Sequence, residues 1–160
     1  QREFLLGPSY DRIRQSAGAQ HTGKVTKMPH TTVNPEGLHN PVPFGYSHTA
    51  SIPAGTELVL VAGQYGSNTD GAVVSPDFTE QVQQAFHNLG VALAAHELDL
   101  SHVVQLRTYV VNLDFDKLGA IGQAVGRGCG DTPPTQTVIG VAGLAMPDIL
   151  FEVEAVAARP

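Results

Sequence analysis

Pro133-Pro134-Thr135-Gln136-Thr137-Val138-Ile139-Gly140-Val141-Ala142 decides how the rest of this chain is read. The two prolines fix φ and lack an N–H donor, so they end whatever precedes them. A β-rich run begins at once, and polar groups where a loop enters a strand are held by a rigid scaffold, a usual place for a site. A second strand follows as Leu150-Phe151-Glu152-Val153-Glu154-Ala155-Val156. The two-residue period of strands sets Glu152 and Glu154 on one face and Phe151, Val153 and Ala155 on the other. Gln136 and Glu152 are therefore a neutral amide and a carboxylate at strand positions that can face one cleft.

Composition narrows the class. A chain of 160 residues with 42% hydrophobic content suits one domain with a proper core. The formal charge is −6 and no lysine or arginine cluster occurs. That balance argues against nucleic acid as the partner, because phosphate binding needs a basic stripe. One cysteine, Cys129, excludes an internal disulfide framework and fits a reducing compartment. No apolar run approaches membrane-spanning length, and the opening residues lack the apolar core of a signal peptide. The expected setting is the cytoplasm, with no membrane partner.

Residues 1–30 differ from the rest and read as an N-terminal arm or extension. Phe4, Leu5, Leu6, Tyr10 and Ile13 give it apolar surface for docking, and Met28 stands where a start could fall. Residues 31–160 read as the domain. Val33-Asn34-Pro35-Glu36-Gly37 is turn chemistry. The runs 46–52 and 57–63, separated by Pro53-Ala54-Gly55, read as a hairpin. Asp77 followed by Glu80 resembles a capping box, and Phe78, Val82, Ala85, Phe86, Leu89 and Leu93 make one apolar helix face. Gly90 weakens that helix, and its small size suits close packing on a sheet. The span 103–111 reads as a strand, with Tyr109 and Val110 favouring it. Asp114 caps a second helix bearing Leu118, Ile121 and Val125, whose glycines leave it dependent on packing. Gly128-Cys129-Gly130-Asp131 reads as a loop into the closing strands, 135–142 and 150–158.

Strand, strand, helix, strand, helix, strand, strand predicts an α/β (α+β) two-layer sandwich with two helices on one face of the sheet. The last strands keep apolar residues on both faces, so an uncovered sheet face predicts an oligomer.

Several segments together resemble a known family: Ala62-Gly63-Gln64, Asp77 with Gln81, Gln84-Ala85-Phe86-His87-Asn88-Leu89, Tyr109-Val110-Val111, Pro133-Pro134-Thr135-Gln136-Thr137 and Phe151-Glu152-Val153-Glu154-Ala155-Val156-Ala157. Their order and spacing over residues 31–158 are similar to the Rid family (YjgF/YER057c/UK114). The resemblance implies a chorismate-mutase-like fold with a mixed sheet. It also implies a homotrimer with clefts between subunits that bind small carboxylates. Its best-known members are enamine/imine deaminases that release 2-oxo acids and ammonia. In them an arginine after the prolines grips the substrate carboxylate, a tyrosine lines the cleft and a glutamate on the last strand helps place water. Carried over, the tyrosine is Tyr46, the glutamate is Glu152, and backbone N–H groups fall near Thr137 and Val138. The arginine position holds Gln136. Arg107 is the nearest other strand cation, but nothing in the sequence aims it at a cleft.

An arginine gives a planar, charge-assisted grip that a glutamine amide lacks. Deaminase activity on simple 2-imino acids is therefore expected to be weak or absent. Three functions stay open: a hydrolase of altered specificity with Glu152 as base or water-positioner, a non-catalytic small-molecule-binding trimer, and an endoribonuclease, which the acidic charge disfavours. Bland roles stand beside these, with Gln136 satisfying loop carbonyls, Glu152 a solvated charge and Tyr46 a packing residue. No cofactor is implied. The histidines match no metal template; His87 and His96 read as nine apart on the first helix and so are not neighbours on one face. The glycine-rich stretches 63–71 and 119–130 lack phosphate-cradle spacing. Cys129 between glycines can be exposed and reactive, although a lone cysteine without a lowered pKa is usually inert.

Overall fold

The computed structural model describes residues 30–160, so the expected arm lies outside the described residues except for His30. In chain order the elements are β1 (Thr31–Val33), a 3-10 turn (Val42–Phe44), β2 (Thr49–Ser51), β3 (Leu58–Tyr65), α1 (Phe78–Ala94), a second 3-10 turn (Leu100–His102), β4 (Val103–Val111), α2 (Phe115–Cys129), β5 (Thr135–Val141) and β6 (Phe151–Ala158). The main sheet runs β3-β6-β4-β5. β6 is antiparallel to both of its neighbours, and β4 is parallel to β5. The two helices lie on one face of this mixed sheet, as the sequence pattern requires.

The core forms where the two periods meet. From β6 come Phe151, Val153, Ala155 and Ala157, all buried, while Glu152 and Glu154 between them are not. β3 contributes Val59 and Val61, and α1 contributes Val82, Ala85, Phe86, Leu89 and Leu93. Ile121, Ala124, Val125 and Cys129 close the core from α2. The other sheet face has no cover among the described residues: Leu60, on the edge strand β3, is 78% exposed.

Both helix starts are capped as the sequence suggested. Asp77 accepts from the Glu80 N–H at 2.9 Å, and Asp114 accepts from the Lys117 N–H at 2.8 Å. Each such cap stabilises its helix by about 1 kcal/mol.

Four local expectations fail. The 46–52 and 57–63 runs form no hairpin. β2 pairs instead with β1, which ends at Val33 where the turn segment begins, and β3 pairs with β6. The Pro53 turn does close, with Thr56 N–H donating to the Pro53 carbonyl at 3.3 Å. Burial decides the partner: Val59 and Val61 line up in register with Ala157 and Ala155 of β6, whereas residues 46–52 have little apolar surface to match them. Gly128 and Cys129 belong to α2 rather than to a loop, and Gly130, at φ +70°, follows the helix end. Gly128 is small because a Cβ there would come within 2.6 Å of Leu100 Cδ1. Gly90 has no packing reason, since a Cβ there would meet nothing within 4 Å. Finally, α1 ends at Ala94, so His96 lies in the following turn and does not share the helix with His87.

Gln81 ties three segments together from a fully buried position in α1. Its amide donates to the carbonyls of Ser75 and Asp148 at 2.8 and 2.9 Å, and its Oε1 accepts from the Leu150 N–H at 2.9 Å. The backbone of Gly66 lies against it, where a Cβ would come within 2.7 Å of Gln81 Cα. Gln81→Leu keeps the volume but strands three backbone groups, so urea unfolding is expected to show a loss of about 3 kcal/mol.

Candidate functional site

The prolines ahead of β5 hold the site together. Ser47, buried, donates its backbone N–H to the Pro134 carbonyl at 2.9 Å and its Oγ–H to the Pro133 carbonyl at 2.6 Å. These bonds lay the 46–48 segment alongside the start of β5. Tyr46 is thereby fixed beside Gln136.

A second contact closes the end of the site. Gly45 sits at φ +80°, a conformation glycine adopts without strain, and a Cβ there would come within 3.0 Å of the Gly122 Cα. The 42–44 turn can therefore rest directly on the backbone of α2, and Gly122 accounts for one glycine of that weak helix. Gly119 and Gly126 have no such neighbour.

Between this turn, α2 and β5 lies a cleft of about 970 Å³. Tyr46, Gln136, Thr137 and Val138 all line it. Gln136 faces the helix side of the sheet, where its Nε2–H donates to Thr108 Oγ1 at 3.2 Å. Tyr46 shares a 2.6 Å hydrogen bond between its hydroxyl and His39 Nε2, and His48 Nε2 lies 2.9 Å from the His39 carbonyl. β5 is the edge strand of its sheet, so its outer backbone groups are unpaired beyond the bridge at Ser47.

Glu152 is not in this cleft. It pairs in register with Tyr109 on the open face of the sheet, while Gln136 pairs with Leu106 on the helix face. The idea that one chain turns both residues into one cleft is corrected by strand parity: β4 lies between β5 and β6, and Gln136 and Glu152 fall on opposite sides of the sheet. Around Glu152, the β3 bulge between Val61 and Gln64 lays Gly63 under the carboxylate, and a Cβ there would overlap it.

Arg107 does not take the missing arginine's place within the chain. It is on the open face, with Nη1 3.0 Å from Glu154 Oε1. Tyr109 donates to the same oxygen at 3.2 Å, and desolvation followed by the Glu154 charge raises its phenol pKa. Cys129 is buried, and desolvation pushes its thiol up to about 12, so it is no nucleophile. Among the described residues no group of histidine, cysteine or carboxylate side chains could hold a metal ion. Nor is any described helix long and apolar enough to cross a membrane.

Sequence reading missed His39, Phe44 and Phe115, which also line the cleft. Phe115 is 91% exposed at the first position of α2, three residues before Leu118, so it extends the Leu118, Ile121, Val125 spacing beyond the part the core covers. A phenylalanine at the helix's first position was the available signal. His39 carried no signal of its own, because its bond to Tyr46 depends on the loop path.

Ser47→Ala removes the hydroxyl bond to Pro133 from a buried position. A stability loss of about 1–2 kcal/mol is expected in denaturant unfolding. Limited proteolysis is expected to cut the 39–48 segment faster; an unchanged cleavage rate would show that the segment is held some other way.

The comparisons with known proteins agree with this fold. The family model described as Endoribonuclease L-PSP matches residues 39–159. The RutC family protein YjgH of Escherichia coli (strain K12) is 30% identical over 132 residues, covering 81% of this chain and 95% of that protein. The solved structure of YyfB from Yersinia pestis, described as a protein of unknown function of the conserved Rid protein family, is 37% identical with a TM-score of 0.78 and covers 82% of this chain and 100% of its own. A member of the YjgF/YER057c/UK114 family from Mycobacterium tuberculosis is 28% identical with a TM-score of 0.55, covering 81% of this chain and 99% of its own. The chain belongs to the Rid/YjgF family, the family of the Endoribonuclease L-PSP model.

Proposed function

We propose that this chain is a Rid-type homotrimer that binds a small organic acid, enamine or imine in clefts between protomers, with atypical specificity because Gln136 stands where deaminase members carry an arginine. The observation that carries the reading is the wall chemistry of the cleft. Gln136 reaches it as an amide, and among the described residues no lysine or arginine lines it. Arg107 faces the other way, against Glu154.

A trimer resolves the placement of Glu152. Its carboxylate lies on the open sheet face, where Leu60 also lacks cover. Packing that face against a neighbour brings Glu152 to a cleft that supplies Gln136 from the other protomer. There Glu152 takes a proton from water as the water oxygen adds to the C=N carbon of an imine. The protonated Glu152 returns that proton to the imine nitrogen, giving the carbinolamine; its hydroxyl proton then passes to the nitrogen as the C–N bond breaks, which releases the 2-oxo compound and ammonia. Tyr46 and the N–H groups near Thr137 and Val138 orient the substrate.

Replacing a charge-assisted clamp by a neutral one removes roughly 1–2 kcal/mol of carboxylate binding. Ammonia release from iminopyruvate is expected to be absent or feeble, and Gln136→Arg is expected to raise it by about tenfold. Wild-type turnover already matching the Gln136→Arg variant would contradict the proposal. Glu152→Gln separates an enzyme from a non-catalytic binder: an enzyme loses turnover while keeping ligand affinity, and a binder has none to lose. The endoribonuclease reading is not favoured, since the net charge is −6 and the cleft has no cation for phosphate.

A further inference from the structure

We propose that the cleft's own ligand is uncharged and planar, an aromatic or heteroaromatic compound carrying an amide- or lactam-like donor–acceptor pair. The inference rests on the reading of Gln136 given above and narrows its ligand class, from an organic acid, enamine or imine to an uncharged compound. Four observations point the same way.

First, the wall that one protomer supplies is uncharged in both senses: among the described residues no aspartate, glutamate, lysine or arginine lines it. The charge that the proposed trimer adds is the neighbour's Glu152, a carboxylate that repels another. The neighbouring cation, Lys117, is turned away, with Nζ on the carbonyls of Val111 and Asn112 at 3.1 and 2.7 Å. A ligand carboxylate entering here would lose water without meeting a counter-charge, which is costly. Second, Gln136 spends one N–H on Thr108 Oγ1. The amide keeps a second N–H and its carbonyl oxygen, a donor beside an acceptor. That pair complements another amide, whereas its oxygen repels a carboxylate.

Third, the mouth is aromatic. Phe44 and Phe115 line the cleft at 68% and 91% exposure, and a ring laid between them would remove both faces from water. Two exposed phenylalanines on one cleft are a costly arrangement unless something covers them. Fourth, the size fits. A cleft of about 970 Å³ is far larger than a three- or four-carbon acid needs.

Benzamide, benzoate and acetamide separate charge from ring, and isothermal titration of the whole chain reads each affinity. Benzamide is expected to bind at least tenfold more tightly than either benzoate or acetamide. Phe115→Ala, a surface change, is expected to weaken benzamide at least threefold with the native mass unchanged. Benzoate binding as well as benzamide would overturn the uncharged class, and acetamide binding as well would overturn the planar one. No benzamide binding would overturn the inference. A changed native mass in Phe115→Ala would also overturn it, by making the aromatic mouth a contact between copies. Gln136→Arg keeps the parent reading separate. If the wild type binds neither ring compound but Gln136→Arg gains benzoate, the cleft is still the site and this inference alone fails. If Gln136→Arg gains nothing, the parent reading fails with it.

Discussion

Two hydrogen bonds from Ser47 to the carbonyls of Pro133 and Pro134 set the arrangement on which everything else depends. Prolines cannot donate, but their carbonyls accept, and the extended chain they impose presents those carbonyls to a neighbouring segment. Ser47 takes both. Its neighbour Tyr46 is then held against the first residues of β5, and Gly45 lets the preceding turn rest on α2 at Gly122. A cleft wall assembled from a loop, a strand end and a helix is fixed by one buried serine and one close glycine contact.

The sheet itself imposes the second constraint. Side chains alternate across a strand, so residues on strands of known register cannot choose their face. Gln136 shares the helix face with Leu106 and Thr108, and Glu152 shares the open face with Arg107, Tyr109 and Glu154. One protomer therefore holds the amide side of the proposed site and presents the carboxylate on its other surface. The exposed Leu60 on that surface gives a neighbour apolar area to bury. In the proposed trimer, site completion and assembly are the same event.

Long periodic signals in the sequence carried most of this fold. The apolar face of α1, the alternation of β6 and the two aspartate caps each report a local requirement that no distant contact overrides. The β1–β2 pairing was hidden because short polar strands obtain their partners from whatever edge is left over. Cys129 misled in another way: flanking glycines suggest a loop, yet Gly128 lies within the last turn of α2, against Leu100. For the cleft wall, Gln136 was legible because the Pro-Pro stretch marks where β5 begins, while Tyr46, Thr137 and Val138 came from the family resemblance. The separation of Gln136 from Glu152 was not, since it depends on strand parity across β4. His39, Phe44 and Phe115 reach the cleft through loop paths and helix ends that no periodicity encodes.

The sharing of one cleft by two protomers can be tested by cross-linking. With Cys129→Ala as background, Gln136→Cys and Glu152→Cys are combined in one chain and treated with a short bismaleimide. Inter-chain linkage is expected, giving a denaturing-gel ladder that ends at three chains. A gel showing single chains alone, or a native mass of one chain, would contradict the placement of Glu152 beside its neighbour's Gln136.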